Sequence, residues 1–359
     1  MFPYVLLILS IFFFSFLEKE KISFACGSKV LDSRFLCCFS CILTFDLFVG
    51  LRASTVGIDL QNYIVRYNSS PYMLDLPTER GYTYLNYFFQ HIIHVPFQAF
   101  LFFLSSITCL SLFFLFIKFS KDITFSLILY ITIGAFTMSM SGIRQTLAVA
   151  ITWLSIYFIE KRNLLFFSFL VLLASSIHNS AVIFFVAYFL WGFRLSKMQC
   201  FILLAISLSF FYARFLLNPL IVFLQPSKYE GFGLNDNYNI NFLVLLVAIS
   251  IPFFCYIYQE YDKEKKCNCH NSFFFLFSCL NVVFLIISQN NNQLGRLAYY
   301  FNIGNCLLIP SVIDEQKKHN FTTAQIIKTV ILLFALAYFF ISTPGGTLKI
   351  DNYKLFFVD

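Results

Sequence analysis

Charged residues are scarce in this chain, and their scarcity excludes most soluble folds. Aspartate, glutamate, lysine and arginine make up 12% of the 359 residues, whereas 59% are hydrophobic. Soluble domains carry roughly 25% charged residues, so this composition cannot cover a water-exposed surface. Apolar stretches of membrane-spanning length recur along the sequence. They predict an all-α, polytopic membrane protein.

The first apolar stretch, residues 2–17, lacks the features of a cleaved signal peptide. No basic segment precedes it, no small-residue cleavage site follows it, and the charged sequence EKEK comes directly after it. We therefore expect this stretch to remain as a first membrane span.

The segments that we assign to the outer face contain no cysteine and no cluster of paired carboxylates. Eleven cysteines are present, but they lie in apolar stretches or in short basic loops. A disulfide framework is therefore not expected. The run CNCH at 267–270 offers at most three ligands and is interpreted as an ordinary cytoplasmic loop. Without an acidic cluster suited to Mg²⁺, we expect no metal and no cofactor.

Twelve apolar stretches are interpreted as membrane spans of a single domain, 1–359. They lie near 2–17, 35–51, 97–118, 123–140, 143–160, 163–179, 181–193, 199–217, 240–258, 272–289, 297–313 and 326–342. Segment 82–95 is too short to span and is predicted to be an interfacial or re-entrant helix. Lysine and arginine concentrate in alternate loops, which the positive-inside rule assigns to the cytoplasm. Both termini are therefore expected outside.

The kind of cation differs between the two predicted sides. The inner side has thirteen lysines and three arginines, whereas the outer side has three lysines and six arginines: Arg52, Arg66, Arg80, Arg144, Arg214 and Arg296. The orientation of a chain in the membrane depends only on positive charge, which lysine supplies as well as arginine does. Arginine adds a planar fork of N–H donors that matches phosphate oxygens. Each arginine alone could be a snorkelling or salt-bridged side chain, but six together predict an anionic site.

Two polar segments follow the second predicted span. Asp59, Tyr63 and Arg66 recur at helical spacing, so they lie on one face of a short helix. This helix is either an amphipathic surface helix or part of a binding site. The next segment, PTERGYTYLNY, contains Glu79 and Arg80. An interfacial aromatic belt explains its tyrosines but not Glu79, whereas a carbohydrate site explains both.

Three further polar groups occur at the ends of predicted spans. They are Arg144 with Gln145, His178 with Asn179, and Arg296 with Tyr299 and Tyr300. An arginine at such a position points into the mouth of the bundle or supports packing. A histidine there is either a hydrogen-bonded packing residue or a group that exchanges a proton near neutral pH. Both interpretations stay open for each group.

Taken in order, these motifs resemble the EpsG/Wzy group of polysaccharide and O-antigen repeat-unit polymerases. The matching patterns are R-x4-G-x-D-x3-Y from Arg52, E-x-G-Y from Glu79, GIRQ at 142–145, A-x3-H-N-S ending at Ser180, and a late R-x2-YY from Arg296. The most specific part is GIRQ followed by the His-Asn-Ser segment. The resemblance extends over nearly the whole chain.

The resemblance implies a metal-independent glycosyltransferase of the bacterial cytoplasmic membrane, with its active site facing outward. Such polymerases transfer a growing glycan from undecaprenyl diphosphate to the terminal sugar hydroxyl of another lipid-linked repeat unit. The implied partners are undecaprenyl-diphosphate-linked oligosaccharides, the lipid bilayer, and a flippase and a chain-length regulator of the same pathway. No nucleic-acid partner is expected.

The implied chemistry assigns a role to each candidate residue. Arg144 and Arg296, helped by Arg52 and Arg80, would hold the diphosphates. Either His178 or Glu79 would assist the acceptor hydroxyl, and the sequence does not rank them. Asp59 would orient Arg52 or a sugar. The predicted substrate site is completed by Tyr63, Gln145, Asn179, Tyr299 and Tyr300.

Two other functions would use many of the same residues. A lipid-linked oligosaccharide flippase also has many spans and a cationic cavity, but it should show an internal pseudo-repeat, which we do not find. An O-antigen ligase performs related chemistry and typically has a very large late outer loop. The corresponding loop here is only 218–239. These functions remain the alternatives to a polymerase.

Overall fold

The described residues fold almost entirely into helices, which confirms the all-α class predicted from the apolar stretches. The computed structural model describes residues 1–19, 24–26, 29–31, 33–70, 79–133, 135–224, 242–262, 264–288, 292–345 and 348–357. Its strands, Phe24–Cys26 (β1) and Lys29–Leu31 (β2), pair as a short antiparallel hairpin. Most of the predicted late loop, 225–239, lies outside the described residues, as does the side chain of Arg214.

The chain divides into two compact units. The first unit contains residues 1–189 and 327–359, and the second contains 190–326. Whether they act as one membrane domain stays a prediction. Helices of the N-terminal half are Phe2–Lys19 (α1), Ser33–Gly50 (α2), Leu60–Asn68 (α3), Arg80–Tyr87 (α4), Phe97–Phe119 (α5), Ile123–Thr132 (α6), Ala135–Ser141 (α7), Ile143–Glu160 (α8), Leu164–Ile177 (α9) and Phe185–Leu190 (α10).

The remaining helices belong to the second unit, except that the last one continues into the first unit. They are Lys197–Leu224 (α11), Phe242–Tyr258 (α12), Cys269–Ile287 (α13), Asn292–Phe301 (α14), Ile303–His319 (α15) and Phe321–Ser342 (α16). A π-helical turn, Phe88–Ile92, continues α4, and a 3-10 helix, Asn179–Phe184, precedes α10. The short helix predicted for 82–95 therefore has a counterpart in the structure.

Within the described ranges, four helices are long and apolar enough to cross a membrane, by length and composition: α2, α5, α13 and α16. Several shorter helices are also apolar, among them α6, α9 and α12. These helices identify the chain as a membrane protein. The count of twelve spans and the outer position of both termini stay predictions.

Two predicted spans are each divided between two helices. Stretch 123–140 forms α6 and α7, with Ile133 outside both helices. The neighbouring residue in the sequence is Gly134, a poor helix former. Stretch 297–313 is divided between α14 and α15 at Asn302, a residue type that favours caps over helix interiors. The apolar pattern located both stretches, but it did not reveal the breaks.

The helices that carry the site are packed in the first unit. There α5 packs against α2 and α8, α8 packs against α9, and α4 packs against α9. Ala148 and Ala150 of α8 are fully buried, and such small side chains allow close helix contact. This packing brings the first turn of α8 and the start of α4 to the end of α9.

The C-terminal tail, 348–357, returns to the loop that follows α2. Tyr353 stacks on Phe48 with ring centroids 4.0 Å apart, and its hydroxyl donates to the Phe48 carbonyl. Backbone hydrogen bonds also join the tail to the loop after α2. The backbone N–H groups of Ala53, Gly57 and Ile58 donate to the carbonyls of Lys354, Lys349 and Leu348, respectively. In the other direction, the N–H of Phe356 donates to the carbonyl of Leu51.

Candidate active site

A cluster of charged and polar side chains lies where the starts of α4 and α8 meet the end of α9. Glu79 precedes α4, Arg144 lies in the first turn of α8, and His178 caps α9. His178 Nδ1 lies 2.6 Å from Glu79 Oε1, and Arg144 Nη1 forms an ion pair with Glu79 Oε2. Each of these side chains is less than one-fifth exposed. The carboxylate of Glu79 therefore contacts both Arg144 of α8 and His178 at the end of α9.

The local backbone directs Glu79 into this cluster. Glu79 has a left-handed conformation with φ 56°, which costs about 1 kcal/mol for a residue with a Cβ. The backbone N–H of Asn179 donates to its carboxylate and helps to hold it. Two residues later, Gly81 packs so closely on α9 that an added Cβ would lie 2.3 Å from Ser176 Oγ. A glycine at this position lets α4 approach α9.

The electrostatics of the cluster favour an ionised Glu79. Burial acts to raise its pKa, but the hydrogen bond from His178 and the charge of Arg144 outweigh burial and leave the pKa below its ordinary value. An ionised carboxylate only accepts hydrogen bonds, so Nδ1 of His178 carries the proton between them. When the imidazole is neutral, Nε2 is then left as the proton acceptor.

Tyr82 forms an aromatic wall beside Arg144, and the predicted site did not include it. Its ring centroid is 6.0 Å from the Arg144 guanidinium carbon and 6.0 Å from the ring of Tyr63. The Tyr82 hydroxyl and Arg144 Nε are both buried without a hydrogen-bond partner. Burial and the Tyr63 hydroxyl raise the pKa of Tyr82, whereas the charges of Arg144 and Arg66 oppose this shift. The E-x-G-Y pattern was the sequence signal for this tyrosine.

Asp59 reaches the same region through the loop that precedes α3. Gly57 has φ 105°, and an added Cβ would lie 2.2 Å from the Met140 carbonyl oxygen, so this loop packs directly on α7. Ser141 Oγ donates to Asp59 Oδ2 over 3.3 Å. The predicted role of Asp59, to orient Arg52 or a sugar, stays a prediction. The predicted helix on which Asp59 and Tyr63 share a face is present as α3.

The other predicted site residues of the first unit have different surroundings. Arg80 and Asn179 are exposed, and Gln145 is buried one residue from Arg144. Arg52 is fully buried beside the C-terminal tail, and its Nη1 donates to the Val49 carbonyl. The roles of these residues in substrate binding stay predictions.

Three predicted site residues belong to the second unit. Arg296 is exposed on α14, Tyr299 is half-buried and Tyr300 is buried. Their part in diphosphate binding stays a prediction as well. Across the described ranges of both units, no group of three or more His, Cys, Asp or Glu side chains is placed to hold a metal ion.

The model of the EpsG family matches residues 34–355. The match begins in α2, ends in the C-terminal tail and includes Glu79, Arg144 and His178. No curated protein and no solved structure matches the chain.

Proposed function

The chain belongs to the EpsG family, and from this premise we propose that it is a polysaccharide repeat-unit polymerase. It transfers a glycan from undecaprenyl diphosphate to a sugar hydroxyl of a second lipid-linked unit, at the outer face of the cytoplasmic membrane. The observation that carries the proposal is the cluster of Glu79, Arg144 and His178. This cluster supplies a proton acceptor and a cation within one half-buried site.

The proposed reaction forms one C–O bond and breaks another. The acceptor hydroxyl oxygen attacks the anomeric carbon of the donor, and the bond from that carbon to the diphosphate oxygen breaks. His178 Nε2 takes the hydroxyl proton, while the electron pair leaves with the diphosphate. Both oxygens of Glu79 are engaged by His178 and Arg144, which favours His178 over Glu79 as the base.

Arg144 is proposed to meet the charge that develops on the leaving diphosphate. One guanidinium nitrogen is held by Glu79, and Nε has no partner within the cluster. A planar fork of donors fixed in this way matches phosphate oxygens better than a lysine ammonium does. Loss of one donor to a developing oxyanion typically costs about 10²- to 10³-fold in rate. Tyr82, Arg66 and Arg80 are further candidates for contact with the diphosphate.

The experiment is a deletion in the native host, complemented with the wild-type chain, Arg144→Lys or His178→Ala. The lengths of surface glycans and the position of lipid-linked repeat units across the membrane are measured at equal protein levels. We expect single repeat units on the outer side and no long chains for the deletion and for both variants. Arg194→Lys and His319→Ala are the matched controls, because both side chains form exposed ion pairs that include no residue of the cluster.

Two outcomes would contradict this proposal. Repeat units trapped on the cytoplasmic leaflet of the deletion strain would indicate a flippase. Long chains that accumulate on the lipid but never reach their final acceptor would indicate a ligase. Normal glycan length with Arg144→Lys would remove the proposed role of the arginine fork, while leaving the assignment of His178 to be judged by its own variant.

A further inference from the structure

Two buried cysteines of the second unit lie against each other. Cys200 is in the first turn of α11, and Cys267 is in the loop between α12 and α13. Both side chains are fully buried, and their thiols share a hydrogen bond. Neither cysteine is part of a disulfide. Two free thiols in contact are the arrangement from which a disulfide forms.

The backbone holds the two cysteines in this position. The loop pairs with the segment before α11 through a bridge between Ser196 and Lys266, and the N–H of Cys267 donates to the Leu195 carbonyl over 2.9 Å. Cys200 lies one helical turn after Ser196, to whose carbonyl its N–H donates over 3.0 Å. The contact between the thiols therefore follows from the way in which the loop is attached to α11.

The surroundings of Cys267 favour its thiolate. The Cys200 thiol is one hydrogen-bond partner of its sulfur, and the Ser272 hydroxyl, 2.9 Å away, is another. Together with the backbone N–H of Leu195, these hydrogen bonds outweigh burial and leave the pKa of Cys267 below its ordinary value. Cys200 in turn accepts a hydrogen bond from Gln259 Nε2 over 3.2 Å. The thiolate is the nucleophilic form of cysteine, so Cys267 is the thiol that reacts first.

We propose that Cys200 and Cys267 form a modification site that hydroperoxides oxidise to an internal disulfide. The pair is buried, so the oxidant has to be about as small as water, which hydrogen peroxide is and a low-molecular-weight disulfide is not. It enters when the loop opens locally. The outer side of the loop is tied down by an exposed ion pair between Arg194 and Asp262, and exposed ion pairs stabilise such contacts only weakly.

The oxidation proceeds in two balanced steps. The Cys267 thiolate attacks one peroxide oxygen, the O–O bond breaks, and the products are a sulfenic acid on Cys267 and a hydroxide that takes up a proton to become water. The Cys200 sulfur then attacks the Cys267 sulfur, an S–S bond forms and the S–O bond breaks. The hydroxyl leaves as a second water with the thiol proton of Cys200. In total, two thiols lose two electrons and two protons, and one peroxide becomes two molecules of water.

The disulfide is a transient state and not part of a permanent framework. The sequence predicts this loop on the cytoplasmic side, where cellular thiols are kept reduced, so the bond forms under oxidant and is reduced afterwards. It joins the start of α11 covalently to the loop that leads into α13, a helix against which α11 packs. The proposal is independent of the polymerase assignment, because no residue of the cluster of Glu79, Arg144 and His178 takes part.

The test is a disulfide map of the purified full-length chain in detergent, first reduced and then treated with hydrogen peroxide. Remaining free thiols are blocked with iodoacetamide, and the peptides from a protease digest are identified by mass spectrometry. We expect two peptides joined through Cys200 and Cys267, lighter by two hydrogen atoms than the reduced peptides and separated by dithiothreitol. Oxidation of the exposed Met198 in the same sample confirms that the peroxide was active.

Single variants separate the attacking thiol from its partner. Cys200→Ser should leave the sulfenic acid on Cys267, where dimedone traps it, whereas Cys267→Ser should give no dimedone adduct on Cys200. Cys306→Ser is the matched control, because this buried thiol of the second unit donates to the Asn302 carbonyl and takes no part in the pair. It should form the same disulfide as the wild type. If a serine variant fails to fold, the map of the wild-type chain still decides the question.

Two results would overturn the proposed site. The first is recovery of both Cys200 and Cys267 as free thiols in a sample whose Met198 is oxidised. The second is a disulfide from Cys267 to another cysteine, such as Cys269, in place of Cys200. A dimedone adduct on Cys200 in Cys267→Ser, with none on Cys267 in Cys200→Ser, would overturn the assignment of Cys267 as the attacking thiol.

Discussion

Glu79 in the first unit and Glu315 in the second are two largely buried carboxylates with different donors. Glu79 is bound by a guanidinium and an imidazole. Glu315 accepts hydrogen bonds from the side-chain amides of Asn268 and Asn271, each over 2.8 Å, and from the backbone N–H of Glu260 over 3.0 Å. All three donors to Glu315 are neutral amides.

The two carboxylates consequently differ in acidity. Glu315 lies beyond the predicted span 297–313, and burial raises its pKa because amide donors do not offset it. At Glu79 the hydrogen bond from His178 and the charge of Arg144 overcome burial, and the pKa is lowered. Burial alone therefore does not distinguish a reactive carboxylate from a structural one. The partners do, because only His178 and Arg144 can move a proton or bind an anion.

Removing the His178 imidazole should have the largest effect on activity, because it removes the partner that distinguishes Glu79 from Glu315. His178→Gln keeps a donor towards Glu79 but provides no proton acceptor, so we expect the polymerisation rate to fall by about 10²- to 10⁴-fold. The rate would be measured with lipid-linked repeat units and purified protein in detergent or proteoliposomes. A rate within a few-fold of wild type, in protein that unfolds at the wild-type temperature, would exclude His178 as the base.

Neutralising Glu79 should have the next largest effect. Glu79→Gln no longer holds His178 in the Nδ1–H tautomer, and we expect at least roughly tenfold loss of activity. The lowered pKa also makes a stability prediction. The contribution of ionised Glu79 is complete above the ordinary glutamate range near pH 4 and is lost as the pH falls through the lowered pKa.

Unfolding of wild type and Glu79→Gln would be compared between pH 7 and pH 3. The stability difference between them should shrink as the pH falls, since the unfolded wild-type chain takes up a proton at position 79 at a higher pH than the folded chain does. A difference that stays constant over this range would mean that the ionised carboxylate adds no stability.

The sequence predicted several residues of the candidate site but not the contacts between them. Arg144 and His178 were predicted site residues because apolar stretches located the span ends on which they lie. The apolar pattern could not show that Glu79 contacts both of them, because His178 is 99 residues away and the contact depends on how α4 packs on α9. Tyr82 was missed as a site residue because its burial beside Arg144 is a tertiary effect. The tail 348–357 has no hydrophobic period, so its pairing with the loop after α2 was not predictable.

A substitution at Gly81 should test how far the properties of Glu79 depend on its contact with His178, because it should move Glu79 away from that residue. In Gly81→Ala the new Cβ would lie within 2.9 Å of the Ser176 backbone carbonyl carbon as well as against its hydroxyl, so α4 must shift. We expect destabilisation of about 1–3 kcal/mol and a partial loss of activity. The unfolding midpoint and the polymerisation rate would be measured together.

The second-site change Ser176→Gly provides the control for this prediction. It removes the two side-chain atoms that the alanine would meet and leaves the backbone contact, so it should restore part of both quantities. No restoration would mean that Gly81 is required for a reason other than its contact with Ser176.

The smallest effect on the glycan is expected at Glu315. In Glu315→Gln an amide N–H₂ would face groups that also donate, which leaves a buried donor unsatisfied and costs about 1–3 kcal/mol. Protein yield and the unfolding midpoint should fall, whereas glycan length per unit of folded protein should not change. Shortened glycans at wild-type protein levels would show that Glu315 also serves the reaction.

The pairing of the tail with the loop after α2 has a consequence for biosynthesis. Tyr353 contacts Phe48 across 305 residues of sequence, and backbone hydrogen bonds from the tail hold the loop that leads to Asp59. At 5–20 residues per second, the ribosome needs roughly 15–60 s to make the intervening chain. The loop therefore lacks its hydrogen-bond partners in the tail while almost all the later helices are synthesised. A nascent chain arrested before the tail emerges should consequently remain inactive, however well its earlier helices have entered the bilayer.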